Sequence, residues 1–163
     1  MILKFVICAL LLICAGVADA DTASTDVDED DWQPFLDALW EKEGSSRLHP
    51  PDGDGGKAIG PYQIWESYWI DASRHDKSLT ENGGNYQSCR DKAYAERVIR
   101  AYMDRWDRKS WTGVVPSWES KARLHNGGCN IYKKRGKTAW KNTTAYWKFI
   151  KAHMDRVTNY SGR

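Results

Sequence analysis

PDGDGGKAIGPYQIWESYWIDA, from Pro51 to Ala72, divides into three parts with different physics. Asp52-Gly53-Asp54-Gly55-Gly56 is a flexible turn carrying two carboxylates. Lys57-Ala58-Ile59 is short and can be extended. Gly60-Pro61 then opens a helix, with Pro61 at the first helical position, where its missing N–H costs nothing. Ile64, Trp65, Tyr68, Trp69 and Ala72 share one apolar helical face, and the spacing predicts a helix from Pro61 to about Arg74. A glycine loop bearing carboxylates, fixed to an aromatic helix, can hold an acidic group at the edge of a cleft.

Working back towards the N-terminus, the periodicity predicts a helix from about Trp32 to Gly44. Phe35, Leu36, Leu39 and Trp40 form its apolar face. Glu43 falls near the middle of that face, one turn beyond Leu39 and Trp40, whereas Asp37 and Glu41 point away. A carboxyl group against Leu and Trp at a helix end is poorly solvated when charged. Its pKa should rise, which suits a proton donor near neutral pH. The alternative is a frayed helix end that leaves Glu43 in water. The loop from Gly44 to Gly56 must bring Asp52 or Asp54 back towards Glu43. An EF-hand fails here, because the sixth loop position would be Lys57 and the twelfth Gln63.

Residues 1–20 have the pattern of a secretory signal peptide: Lys4, an apolar run from Phe5 to Val17, and Ala18-Asp19-Ala20 as the cleavage site. The run is short for a membrane span. Residues 21–31 form an acidic leader without periodicity, expected to be disordered, in which Asp30 or Asp31 can cap the first helix. The folded domain is expected over residues 32–163. The chain is read as secreted, monomeric and free of membrane after cleavage.

Cys8 and Cys14 leave with the signal, so Cys89 and Cys129 remain as an even pair in an oxidising route. A disulfide between them is expected, contributing roughly 4 kcal/mol through the closed loop. No metal or other cofactor is expected: C-x-x-C is absent, and His49, His75, His125 and His153 lack ligand spacing. A net charge of +2 gives little long-range pull on nucleic acid. The nine Trp and eight Tyr mostly supply core, but they also suit the flat faces of sugars.

Downstream, Lys77–Gln87 is a polar connection. Ser88 starts a long helix to about Arg108, with Asp91 completing an approximate capping box. Ser117 starts a short helix that stops at His125-Asn126-Gly127-Gly128. Ile131–Lys137 is a basic loop, and Thr138 opens the last helix, with Trp140, Trp147, Ile150 and Met154 at helical spacing. The sum is one mostly helical α+β domain with a small loop or β lobe between its first two helices.

These residues together resemble the invertebrate-type lysozyme family, also called the destabilase family. The resemblance rests on Glu43-Gly44-Ser45, the turn Asp52–Gly56, Gly60-Pro61-Tyr62-Gln63-Ile64, Tyr68-Trp69-Ile70-Asp71, Tyr102-Met103, Arg123-Leu124-His125-Asn126-Gly127-Gly128 and Tyr146-Trp147. It covers roughly residues 35–150. The chain departs from the family by keeping few cysteines: Ile59 and Ala72 stand where many members have Cys. The resemblance implies a lysozyme fold and a retaining hydrolysis of β-1,4 bonds in bacterial cell-wall polysaccharide. Glu43 would then be the acid and Asp54 the second carboxylate, with Asp52 as the alternate. Asp54 is favoured because Gly55-Gly56 let the backbone swing it into the cleft. Tyr62, Gln63, Trp69, His125 and Asn126 are the expected substrate contacts, Gln63 the foremost. A non-catalytic peptidoglycan or chitin binder on the same fold is the second reading. An isopeptidase is a third, set aside because no Ser–Lys pairing at a suitable spacing supports it.

Overall fold

The computed structural model describes residues 32–161, with side chains to Val157. The signal-peptide segment, the acidic leader and the expected aspartate cap lie outside the described residues. Helix α1 runs Trp32–Gly44 and buries Trp32, Phe35, Leu36, Ala38 and Leu39, the face its periodicity marks out. It stops because Ser45 and Ser46 are both left-handed, with φ of 51° and 56°. The N–H of Ser46 donates to the Trp40 carbonyl at 3.3 Å, closing the last turn.

A small antiparallel hairpin follows, β1 (Ala58–Ile59) and β2 (Ile64–Trp65), in the register Ala58 with Trp65 and Ile59 with Ile64. Gly53 extends it by a bridge to Ala58. Helix α2 then spans Glu66–His75. The helix expected from Pro61 therefore begins five residues later. Gly60 has φ +71° and Gln63 φ +48°, so Gly60–Gln63 reverses the chain instead of starting a helix. Trp65 consequently leaves the apolar stripe and stands 43% exposed.

Two 3-10 segments, Lys77–Gly83 and Tyr86–Arg90, fill the polar connection. The long helix also starts later than expected: α3 is Lys92–Trp106. Asp91 is its N-cap and accepts from the Tyr94 N–H at 2.8 Å, while Ser88 serves a separate capping box with Asn85. Short α4 (Lys109–Thr112), α5 (Trp118–Gly127, capped by Ser117) and α6 (Thr138–Ser161) complete the chain. A 3-10 turn at Ile131–Lys134 occupies the basic loop. None of the described helices is long and apolar enough to cross a membrane.

Helices α1 and α5 pack on α6, and α2 packs on α3. Their shared core contains Phe35, Leu36, Leu39, Ile99, Met103, Leu124 and Ile150, each almost fully buried. Lys121 and Asp107 form a buried ion pair at 2.8 Å that ties α5 to the end of α3, with the Lys121 ammonium against the rings of Trp32 and Trp118. Such a pair costs desolvation, and the two rings lower that cost by cation–π attraction.

The expected disulfide is absent, and Cys89 and Cys129 are both free thiols. Cys89 is buried beside Tyr68, and Cys129 interacts with Tyr102. Those two tyrosines stack on each other, with centroids 3.5 Å apart and ring planes 12° apart. The aromatic pair thus neighbours both thiols, Tyr68 that of Cys89 and Tyr102 that of Cys129.

Candidate functional site

The site begins at the end of α1. A Cβ on Gly44 would lie 2.6 Å from the Pro61 carbonyl oxygen, so only glycine lets the helix end meet the hairpin turn this closely. That contact brings Glu43, half-buried in the last turn, over the loop that carries Asp54. Both line one cleft of about 310 Å³, together with Gly53, Ala58, Gln63, Ile64, Trp65, Tyr68, His125 and Asn126.

The two loop aspartates part company. Asp54 has φ +50°, a left-handed conformation that aspartate tolerates better than most residues, and this breaks from the extended backbone of Gly53 before it. Asp54 lines the cleft. Asp52 is engaged elsewhere, in a two-pronged pair with Arg90 at 2.7 and 2.8 Å. The Arg90 hydrogen bonds hold the Asp52 carboxyl below its usual range, fixing it as an anion.

Glu43 behaves in the opposite way. Burial pushes its pKa above the ordinary value, and the charge of Asp54 adds to the rise. The Tyr146 hydroxyl and the Lys42 ammonium work against the rise without cancelling it. One carboxyl whose pKa is raised by burial, facing a second carboxyl across a cleft, is a division of labour that acid–base chemistry can use.

Gln63 lines the cleft, but its side-chain amide is committed to backbone. Its Nε2 donates to the Gly60 carbonyl at 2.9 Å and to the Pro51 carbonyl at 3.3 Å. It fastens the aspartate loop to the hairpin turn. Tyr86 clamps the same hairpin, its hydroxyl 2.7 Å from the Lys57 carbonyl and 3.1 Å from that of Ile64.

His125 and Asn126, at the end of α5, line the cleft. The His125 Nδ1 lies 3.3 Å from the Tyr68 hydroxyl, and the ring also bonds the Tyr62 backbone. Burial pushes the imidazole down to about 4, so it is neutral in the cleft wall.

Two expected contacts are corrected. Tyr62 is fully buried, and its hydroxyl donates to Glu96 at 2.6 Å; the hairpin turn aims the ring into the core. Trp69 packs against the core, and its indole N–H donates to the Tyr94 hydroxyl at 3.0 Å. Neither lines the cleft. The residues that sequence reasoning missed are Trp65, Tyr68 and Tyr146. For Trp65 the signal was misleading, since it fell on the apolar stripe of a helix that starts later; Tyr68 keeps its place on that buried face and also lines the cleft.

A family model described as Destabilase matches residues 39–152, most of the chain and every cleft residue named above. The chain belongs to the Destabilase family. Among curated relatives it is 38% identical over 96 residues to Lysozyme 1 of Crassostrea virginica, covering 58% of this chain and 44% of that protein. It is 37% identical over 95 residues to Lysozyme of Ostrea edulis, 58% of each chain. For Lysozyme of Meretrix lusoria the identity is 34% over 94 residues, 57% of this chain and 65% of that one. The matched segment thus spans about half to two-thirds of the length of these relatives. Within this Destabilase chain, the α1 end and the glycine loop are the two parts that present carboxyl groups to the cleft.

Proposed function

We propose that this protein hydrolyses β-1,4 glycosidic bonds of bacterial peptidoglycan, as the names of its bivalve relatives suggest, and that it acts outside the cell. The observation that carries this reading is the pairing of Glu43, its pKa raised by burial, with Asp54 across one cleft. Glu43 protonates the leaving glycosidic oxygen. Asp54 serves the developing positive charge on the sugar as nucleophile or stabilising anion. Asp52, neutralised by Arg90, plays no such part and instead anchors the loop. The exposed indole of Trp65 offers a flat apolar face to a sugar ring. A second groove of about 560 Å³ shares Trp65, Tyr68, His125 and Asn126 with the cleft and gives an extended glycan room to continue past α5.

The test is clearance of a bacterial cell-wall suspension by the purified protein. Glu43→Gln keeps size and packing but removes the donated proton, so the rate should fall roughly 100-fold or more. Asp54→Asn should be nearly as damaging. Asp52→Asn should be mild, and Glu41→Gln should leave the rate unchanged. Full clearance by Glu43→Gln would remove the mechanism. Sedimentation with cell walls without any clearance by the wild type would replace the enzyme with a binding module.

A further inference from the structure

Tyr146 reaches the site from α6 and has no stated part in the chemistry above. Its side chain is 5% exposed, and its hydroxyl is one of the few buried polar atoms among the described residues that lacks a close hydrogen-bond partner. A buried, unpartnered hydroxyl costs free energy and calls for an explanation. The group it faces is the Glu43 carboxyl, beyond ideal hydrogen-bonding distance but within interaction range. A small closing movement of the α1 end would complete that bond, as hydrogen bonds in an empty active site often tighten only around the substrate.

We propose that Tyr146 positions Glu43, its hydroxyl donating to one carboxyl oxygen from the cleft wall so that the other oxygen is aimed at the scissile linkage. The inference rests on Glu43 as the proton donor. The neighbouring groups support it. Around Glu43 stand Lys42 of α1, Asp54 of the glycine loop and Tyr146 of α6. Around Tyr146 stand Glu43, Tyr68 of α2 and the His125 ring, 6.4 Å away on α5. Tyr68 is already engaged with His125 at 3.3 Å. Lys42 is exposed and leans over the Phe149 ring, a looser and better-solvated partner. Tyr146 is therefore the buried donor available to hold the Glu43 carboxyl in one orientation.

A hydrogen bond from Tyr146 favours the ionised carboxylate, so removing it should make Glu43 hold its proton to higher pH. Tyr146→Phe keeps the ring and its packing and removes only the hydroxyl. The Glu43 titration can be followed directly by carbon NMR of labelled glutamate, assigned by difference against Glu43→Gln. We expect the Glu43 midpoint in Tyr146→Phe to rise by about half a pH unit or more. The alkaline limb of cell-wall hydrolysis should move the same way, with a lower maximal rate. The melting temperature should hold, because the ring and its packing are kept. In a Glu43→Gln background, Tyr146→Phe should cost no further activity. An unmoved Glu43 midpoint would overturn the proposal and leave Tyr146 as packing alone. A moved midpoint in a protein without hydrolytic activity would uphold the contact and sink the enzymatic reading instead.

Discussion

His125 gives the site a pH signature of its own. Its folded pKa is about 4, against an ordinary 6.5, because its burial penalises the charged ring. Between those two values the unfolded chain binds the extra proton. Stability is therefore intact above about 6.5, falls as the pH drops through this window, and the loss is complete below about 4, amounting to roughly 3 kcal/mol at most. Glu43 works with the opposite sign. Its folded pKa is raised, so its contribution is fully present at low pH and is lost as the pH rises through that value. Melting curves across the acid range should show a wild-type decline below pH 6.5 that flattens in His125→Gln, and a Glu43→Gln protein at least as stable as wild type near neutrality. A His125→Gln slope equal to wild type would show the histidine to be exposed. At this scale the sequence was legible where the angle around one helix decides: Glu43, Glu41 and the α5 end that carries His125 and Asn126. The choice between Asp52 and Asp54 was less so, because the Arg90 that pairs with Asp52 lies 38 residues away in the chain. Tyr146 was out of reach for the same reason, since nothing local to α6 says that Glu43 faces it.

The hairpin turn shows where element reading fails and why. Gly-Pro can open a helix or make a turn, and Pro61 suits both. Two facts decide for the turn. Gly60 adopts φ +71°, and Gln63 spends its amide on the Gly60 and Pro51 carbonyls, both long-range or backbone features that no apolar period reports. Helix α1, by contrast, buries its predicted face and α5 starts from its Ser117 cap, because one-sided burial and a capping side chain are both local to the helix. Gly60 is also the position least tolerant of change. A Cβ there would stand 2.1 Å from the Cys89 carbonyl oxygen, and that neighbour is backbone, which cannot swing aside. Gly60→Val combines this clash with a left-handed φ, and the cost should reach about 3 kcal/mol or more. A fall in melting temperature of roughly 10 °C is expected. An unchanged melting temperature would mean that the turn can open without loss.

Across the whole molecule, the cleft is a seam between two groups of elements. Glu43, His125 and Asn126 belong to the group in which α1 and α5 pack on α6. Asp54, Gln63 and Trp65 belong to the glycine loop and hairpin, and Tyr68 of α2 lies between, stacked on Tyr102 of α3. The mostly helical domain with a small lobe after its first helix was legible from composition and periodicity, since each long element buries its own stripe. The absence of a crosslink was not, because counting cysteines says nothing of whether the fold joins them. The two free thiols have a practical meaning. With Cys89 and Cys129 unbonded, the described fold contains no bond that a reductant can cut. Millimolar dithiothreitol should leave the melting temperature within about 2 °C, a shift well under the loss of a disulfide. A large drop would reveal a bridge in solution. Denatured, unreduced protein should likewise show both thiols to a titrant. If those two thiols are free in solution as well, the described domain should reach its native state without an oxidising compartment, and the bacterial cytosol should serve as a production host.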